Sequence, residues 1–361
     1  MTTAPARLRS RTTFRTLTVA SVKRLCPDTV AVTFDVPRDL AEEYAFRPGQ
    51  SLTLRRTIDG VEHRRSYSIC APAGAPLRIG VREIPDGLFS RWLVHDVRAG
   101  DEIEVGTPTG TFTPDLGTSG RHVFVAAGSG ITPVLSIVAS VLRDPVSTAT
   151  LFYGNRRTDT VMFADELADL KDRYPARFEL VHVLSREPRE VELFTGRLDA
   201  EKLTGLLRLL PDPAAVDHWW LCGPYGMVTD AQDVLESHGV EPARVHQELF
   251  FVDDLPPDPV RHAEPTLTGE VAEVTVRLDG RLTTAMVGKD TPVLDGAQRT
   301  RPDLPFACKG GVCGTCRARV VDGEVDMRRN FALEPDEVAA GFVLTCQSRP
   351  VSDRVTVDYD A

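Results

Sequence analysis

The sequence predicts a multi-domain protein: a small antiparallel β-barrel, then an α/β domain with a doubly wound parallel sheet, then a compact module built round four cysteines. Three observations carry this. Between residues 14 and 118, short runs rich in Val, Thr, Ile and Phe are separated by Gly, Pro and Asp turns, the rhythm of a small barrel. From 121 to 250, strand-like and helix-like stretches alternate, the signature of a parallel sheet with crossover helices. Near the C-terminus, Cys308, Cys313 and Cys316 stand at C-x4-C-x2-C spacing, and Cys346 follows after 29 intervening residues. At 361 residues the chain is too long for one ordinary core, so two or three domains are expected.

Composition narrows the class. With 42% hydrophobic and 26% charged residues the chain reads as soluble and globular. No apolar run approaches the length of a membrane span. Residues 1–13 form a Thr- and Arg-rich tail without the apolar core of a secretory signal. Four of the seven cysteines fall in the C-terminal module, and Cys26, Cys70 and Cys222 are scattered singly, a usage that points to a reducing compartment and hence the cytoplasm. The net charge of −10 divides as +2 for residues 1–120, −6 for 121–250, −3 for 251–267 and −3 for 268–361. No basic stripe exists, which argues against a nucleic-acid partner.

In the barrel region (residues 14–120) the strands fall at 16–23, 29–36, 51–56, 64–70, 77–82 and 102–105. One of them carries Arg65-Ser66-Tyr67-Ser68, and Gly80-Val81-Arg82 and Gly87-Leu88-Phe89-Ser90 follow. An arginine beside an extended strand can grip a pyrophosphate bidentately. Two residues on, Tyr67 leaves the same face and offers a ring on which an isoalloxazine can stack, with the Ser68 hydroxyl in reach of a flavin nitrogen. The competing reading of these residues alone is an exposed arginine and a half-buried tyrosine on a barrel strand.

Residues 121–250 supply strands at 122–127, 148–153, 178–184, 219–222 and 244–247, with helices at 132–142, 163–173, 200–209 and 225–237. The first strand runs into Gly128-Ser129-Gly130-Ile131-Thr132-Pro133. A glycine turn opening a helix offers backbone N–H groups and a helix dipole to a phosphate, and Pro133 suits a first helical turn. The sequence departs from G-x-G-x-x-G, and such turns are common without a ligand. Cys222-Gly223-Pro224 makes a second glycine turn at the carboxyl edge of the sheet, where ligands of open α/β sheets collect. A lone cysteine such as Cys222 is ordinarily a small buried hydrophobe.

Residues 251–267 contain four prolines and four acids, the composition of a stiff solvated linker. In the C-terminal module (268–361), 270–278 and 282–287 read as a hairpin round Asp279-Gly280, and 292–301 as a helix. The loop from Cys308 to Cys316, closed by Cys346, has the ligand spacing of a plant-type [2Fe–2S] centre. Gly310, Gly311 and Gly314 let it wrap tightly and aim backbone N–H groups at sulfur. A structural zinc site takes cysteines in separate pairs, not three in one nine-residue loop, and a disulfide pairing would leave a cysteine over.

The order of these motifs resembles the ferredoxin–NADP reductase superfamily, and the last 95 or so residues resemble plant-type ferredoxins of β-grasp fold. The resemblance implies that Arg65 holds the FAD pyrophosphate, Tyr67 stacks on the flavin and Ser68 hydrogen-bonds near N5. Val81, Arg82, Gly87 and Ser90 would wrap the rest of FAD. Gly128, Gly130, Thr132 and Pro133 would take the nicotinamide cofactor's pyrophosphate, with Cys222 and Gly223 beside the nicotinamide. Gln247-Glu248-Leu249-Phe250 is similar to the family's Glu-x-aromatic, placing Glu248 near the hydride path and Phe250 over the flavin. Asn155, Arg156, Arg157, Ser185 and Arg186 resemble the phosphate-gripping positions of NADPH users, with NADH as the open alternative.

The domain order resembles reductases that feed bacterial oxygenases. Within these the ferredoxin module looks most like the reductase components of phenylacetyl-CoA epoxygenases, with ketosteroid 9α-hydroxylase reductases as the competitor. That implies an oxidoreductase passing electrons from NADPH through FAD and the cluster to an oxygenase component. Ser68, Cys222 and Glu248 would orient the rings, and Lys309, Thr315, Arg317, Arg328 and Arg329 would face the partner. A redox sensor without a dedicated acceptor and an electron-transfer module with an empty nucleotide domain are the readings from other classes.

Overall fold

A computed structural model describes residues 13–58, 61–85, 87–250 and 269–361. The expected N-terminal tail, apart from Thr13, and the expected linker at 251–267 lie outside the described residues.

The first sheet is built from β1 (Phe14–Cys26), β2 (Thr29–Asp35), β3 (Ser51–Ile58), β4 (Val61–Ser68), β5 (Arg78–Arg82) and β6 (Glu102–Gly106), in the order β4-β3-β6-β1-β2-β5. Strand β1 shows the cause in miniature: Leu17 and Val19 are buried while Thr16 and Thr18 face water, the period-two pattern of a half-buried strand. The closed barrel expected from sequence is not formed by the ladders. The sheet stays open, and its two edges meet at one bridge, Ile69 to Ile79, where Cys70 N–H donates to Arg78 O at 2.9 Å. Pro72 and Pro76 lack the N–H groups that would carry the ladder on. Helix α1 (Leu88–His95), absent from the elements expected above, covers this sheet with Phe89, Leu93 and Val94.

The second sheet comprises β7 (Arg121–Ala127), β8 (Thr148–Asn155), β9 (Phe178–Leu184), β10 (His218–Gly223) and β11 (Val245–Leu249). Helices α2 (Ile131–Val141), α3 (Ala164–Arg173), α4 (Ala200–Leu207) and α5 (Tyr225–Ser237) connect them. Its order is β11-β10-β7-β8-β9, every pair parallel. Strand order reverses between β7 and β10, so their carboxyl ends lie side by side at the switch point where α/β sheets take ligands.

These two sheets share a core. Cys26, Ala31, Cys70 and Phe112 from the antiparallel half pack with Phe124, Ile131, Val134 and Trp220 from the parallel half. Arg78 adds a bidentate ion pair to Glu166 on α3, at 3.0 and 2.7 Å. Accordingly, Phe14–Arg55 and Ser66–Phe250 form one compact unit, and residues 269–361 belong to a second, together with the described part of Arg56–Arg65.

The C-terminal sheet contains β12 (Val271–Leu278), β13 (Arg281–Gly288), β14 (Arg317–Asp322), β16 (Phe342–Leu344) and β18 (Arg354–Asp358), ordered β13-β12-β18-β14-β16. β15 (Val325–Met327) pairs with β17 (Ser348–Pro350), and α6 (Val293–Ala297) and α7 (Pro335–Ala339) pack beside them. Only β12 and β18 are parallel, the remaining neighbours in this sheet being antiparallel. The β12–β13 turn has positive φ at both Asp279 and Gly280, as Asp-Gly favours, and the Asp360 carboxylate accepts both of their N–H groups at 2.8 Å. The helix expected over 292–301 is shorter than predicted, ending at Ala297. Among the described residues no helix is long and apolar enough to cross a membrane.

Candidate active site and cluster loop

The two glycine turns predicted at the carboxyl edge touch one another. A Cβ at Gly130 would collide with the carbonyl oxygen of Cys222, so only glycine lets α2 start this close to β10. A Cβ at Gly80 would stand 2.6 Å from Thr132 Cγ2, so the antiparallel sheet also closes on the first turn of α2. Thr132 is buried and its Oγ1 donates to Ser129 O at 2.9 Å, and Pro133 is buried in the same first turn.

Cys222 is fully buried, and burial followed by the charge of Glu248 pushes its thiol well above the ordinary range. Glu248 lies opposite it in register on β11. Ser68, buried at the end of β4, donates through Oγ to Glu248 Oε2 at 3.0 Å. Removal from water pushes the Glu248 carboxyl up to about 7, against the downward pull of that hydrogen bond. The three residues expected to orient the rings therefore converge on one place. Phe250, two residues beyond Glu248, is half-buried and packs on the shared core.

The flavin-side residues divide. Tyr67 packs 6.2 Å from the ring of Phe89 and stays half-buried, and the half-buried Arg65 keeps one guanidinium nitrogen 2.7 Å from Arg64 O. Gly87 caps α1, and the buried Ser90 hydroxyl closes the turn before it, accepting from Ile84 N–H at 3.0 Å and donating to Gly87 O at 3.3 Å. Val81 and Arg82 both have protein neighbours of their own. Val81 is fully buried in the sheet's own core, because period-two alternation turns it inward, so it can offer only backbone. Arg82 is taken up by protein: Nη2 donates to Thr160 O at 2.6 Å, Nε to Thr29 Oγ1 at 3.4 Å, and the guanidinium pairs with Asp28 at 3.4 Å.

At the ends of β8 and β9, Ser185 N–H donates to Asn155 O at 2.9 Å and Arg186 N–H to Arg156 O at 2.8 Å, which brings the five expected phosphate-side residues to one edge. Arg156, Arg157 and Arg186 are exposed there. Asn155 is buried, and among the described residues neither polar atom of its side chain finds a hydrogen-bond partner. The nearby Glu187 carboxylate is turned into the chain, accepting from Thr158 N–H and Oγ1 at 2.8 and 2.7 Å.

In the cysteine loop, Gly310 N–H points at Cys308 Sγ (3.4 Å), Thr315 N–H at Cys313 Sγ (3.5 Å) and the Gln347 amide at Cys346 Sγ (3.8 Å). Positive φ occurs at Gly311 and Gly314 as expected, and at Lys309 in place of Gly310. The thiols lie in two pairs, Cys308 against Cys313 and Cys316 against Cys346. Among the described residues no three His, Cys, Asp or Glu side chains surround a single metal position. Two pairs of thiols with backbone donors fit two irons rather than one zinc. Two of the charges expected to face a partner are used internally. Lys309 Nζ lies 2.7 Å from Asp295, and Arg317 pairs with the buried Glu337 at 3.1 Å while stacking over Phe342 at 3.5 Å. Thr315 is half-buried in the loop; Arg328 and Arg329 remain exposed.

Fold and site together define an oxidoreductase with a flavin half, a nucleotide half and an iron–sulfur module. Family models match in that order: an oxidoreductase FAD-binding domain over residues 16–113, an oxidoreductase NAD-binding domain over 124–233 and a 2Fe-2S iron-sulfur cluster binding domain over 276–351. The chain is 43% identical over 355 residues to one component of the 1,2-phenylacetyl-CoA epoxidase of Escherichia coli, covering 97% of this chain and 99% of that one. It is 34% identical to the ferredoxin reductase component of 3-ketosteroid-9-alpha-monooxygenase of Rhodococcus rhodochrous, covering 95% and 96%. Phthalate dioxygenase reductase shares the fold, with a TM-score of 0.60 at 24% identity over 96% of this chain and 98% of that one. The protein belongs to the family of FAD- and [2Fe–2S]-containing reductase components of multicomponent oxygenases. Its cofactors are FAD, a [2Fe–2S] cluster and a pyridine nucleotide.

Replacing Cys346→Ser is expected to abolish the visible absorbance of the cluster while leaving NADPH reduction of the flavin intact, as stopped-flow spectra of the two forms will show. For Glu248 the raised value sets the sign. Between about pH 4.5 and 7 the native carboxyl keeps a proton the unfolded chain has lost, so this group's contribution to stability falls as pH rises through that window and is flat above it. Glu248→Gln is therefore expected to match the native chain in urea near pH 4.5 and to exceed it at pH 8, by on the order of 1–3 kcal/mol.

Proposed function

We propose that this chain is the NADPH-dependent reductase of a multicomponent oxygenase acting on phenylacetyl-CoA, in the cytoplasm. Seven cysteines, none in a disulfide, suit that compartment. The observation that carries the redox part is the convergence of Ser68, Cys222 and Glu248 beside two touching glycine turns. We take 14–120 as the flavin half, 121–250 as the nucleotide half, 251–267 as a linker and 268–361 as the ferredoxin module.

A bound flavin supplies the exchange between a two-electron hydride donor and a one-electron acceptor. The chain's own residues do the positioning. Arg65 and Tyr67 hold and stack the flavin, the backbone of Val81 and Gly87 and the Ser90 hydroxyl line its far end, and Phe250 shields it. Ser68 donates to Glu248 at the flavin edge, and the uncharged Cys222 thiol packs against the nicotinamide. The glycine turn of Gly128 and Gly130, with Thr132 and Pro133 in the helical turn it opens and Gly223 opposite, takes the pyrophosphate. Arg156, Arg157, Arg186, Ser185 and Asn155 take the adenosine end, and the arginines, with Glu187 engaged by Thr158, favour NADPH. Cys308, Cys313, Cys316 and Cys346 hold the cluster.

The substrate assignment is supported by the end-to-end similarity to the epoxidase component. A second reading, a ketosteroid-type oxygenase as the acceptor, is supported by the Rhodococcus relative, and NADH is the alternative donor. Docking is assigned to the exposed Arg328 and Arg329, whose charge sets on-rate and specificity against an acidic partner surface.

Turnover with a purified phenylacetyl-CoA oxygenase core, oxygen and either NADPH or NADH tests all three assignments. NADPH is expected to give the higher kcat/KM, and Arg328→Glu/Arg329→Glu to slow substrate oxidation while cytochrome c reduction persists. Equal efficiency with NADH, or brisk cytochrome c reduction without substrate oxidation by the native chain, overturns the nucleotide or the partner assignment respectively.

A further inference from the structure

Gly128 is the first residue beyond β7 and has φ of +56°. Its carbonyl accepts the hydroxyl of Tyr153 at 3.0 Å, from the neighbouring strand β8. Tyr153 is fully buried, and loss of water pushes its hydroxyl far above the usual phenol range, so it stays a donor. The next carbonyl, Ser129 O, is held by Thr132 Oγ1. The Ile131 N–H donates to both of these carbonyls as well, so the turn is set from within by three donors.

Arg82 reaches the same turn from the other side. Its Nη1 lies 3.2 Å from where a Cβ on Gly128 would stand, in contact with that glycine. Its Nη2 donates to Thr160 O at 2.6 Å in the loop after β8, whose Thr158 holds Glu187. Asp28 and Thr29 fix the guanidinium to the antiparallel sheet. One side chain thereby links the flavin-side sheet, the glycine turn and the arginine-bearing edge of β8.

We propose that Tyr153 and Arg82 are positioning residues for the nicotinamide dinucleotide: they set the Gly128 turn from beneath and register it against the flavin half, and Arg82 is not a flavin ligand. This rests on the assignment of the Gly128 turn to the dinucleotide's pyrophosphate. A flavin phosphate would have to strip Arg82 from three protein partners, whereas a correctly set turn needs all of them in place.

The test compares native holoprotein with Tyr153→Phe, Arg82→Met and Arg82→Lys, reading FAD per chain, thermal midpoint, the Kd of NADP+ by difference spectra, and steady-state kinetics with ferricyanide. Rapid flavin reduction of the native chain by NADPH is the control, and its absence would refute the nucleotide-site reading itself. In Tyr153→Phe, the Kd for NADP+ and the KM for NADPH are expected to rise about fivefold, the cost of one neutral hydrogen bond, with kcat within about twofold and FAD content unchanged. Arg82→Met is expected to weaken NADP+ about tenfold or more, and Arg82→Lys to recover part of that. Unchanged NADP+ affinity in Tyr153→Phe and Arg82→Met overturns the proposal. So does loss of FAD from Arg82→Met with native NADP+ affinity in the fraction that keeps it.

Discussion

The hydrogen bond from Ser68 to Glu248 joins residues 180 positions apart, the end of an antiparallel strand and the last strand of a parallel sheet. Every other part of the redox centre is arranged about it. Glu248 stands beside Cys222 because β10 and β11 are parallel and in register, and Cys222 stands against Gly130 because glycine alone admits that approach. The shared core and the Arg78–Glu166 pair hold the two sheets at the separation the bond requires.

The electrostatics of that centre are those of a place kept nearly dry. Burial raises both Cys222 and Glu248, so the thiol is neutral and the carboxyl is poised near neutrality, able to hold or release a proton without a large cost either way. The cysteine loop follows the opposite logic. There, backbone N–H groups converge on sulfur, an arrangement that suits thiolate ligands and the added charge of a reduced cluster. One half of the molecule avoids charge, and the other is built to accept it.

How much was legible in the sequence followed how local each signal is. The cysteine spacing, the Asp-Gly turn and the glycine turns are encoded within a few residues, and the structure realises them. Strand positions in the first sheet were legible from alternation, but its closure was not, since Pro72 and Pro76 act on a ladder between distant strands. Arginines were the least legible. Arg82 and Arg317 carry no mark of their partners, and only the fold shows that Thr160 O claims one and Glu337 the other. Tyr153 was invisible as a functional residue, because a tyrosine on a strand reads as core until its hydroxyl is seen to meet Gly128.

The single core that unites the flavin and nucleotide halves restricts how such a protein can be taken apart or recombined. Cutting near residue 120 would strand Cys26, Cys70 and Phe112 on one fragment and Phe124 and Trp220 on the other, each with an apolar face open to water. The C-terminal module has its own separate core of β12, β13, β14, β16 and β18 side chains. The two halves before that module must therefore be inherited together.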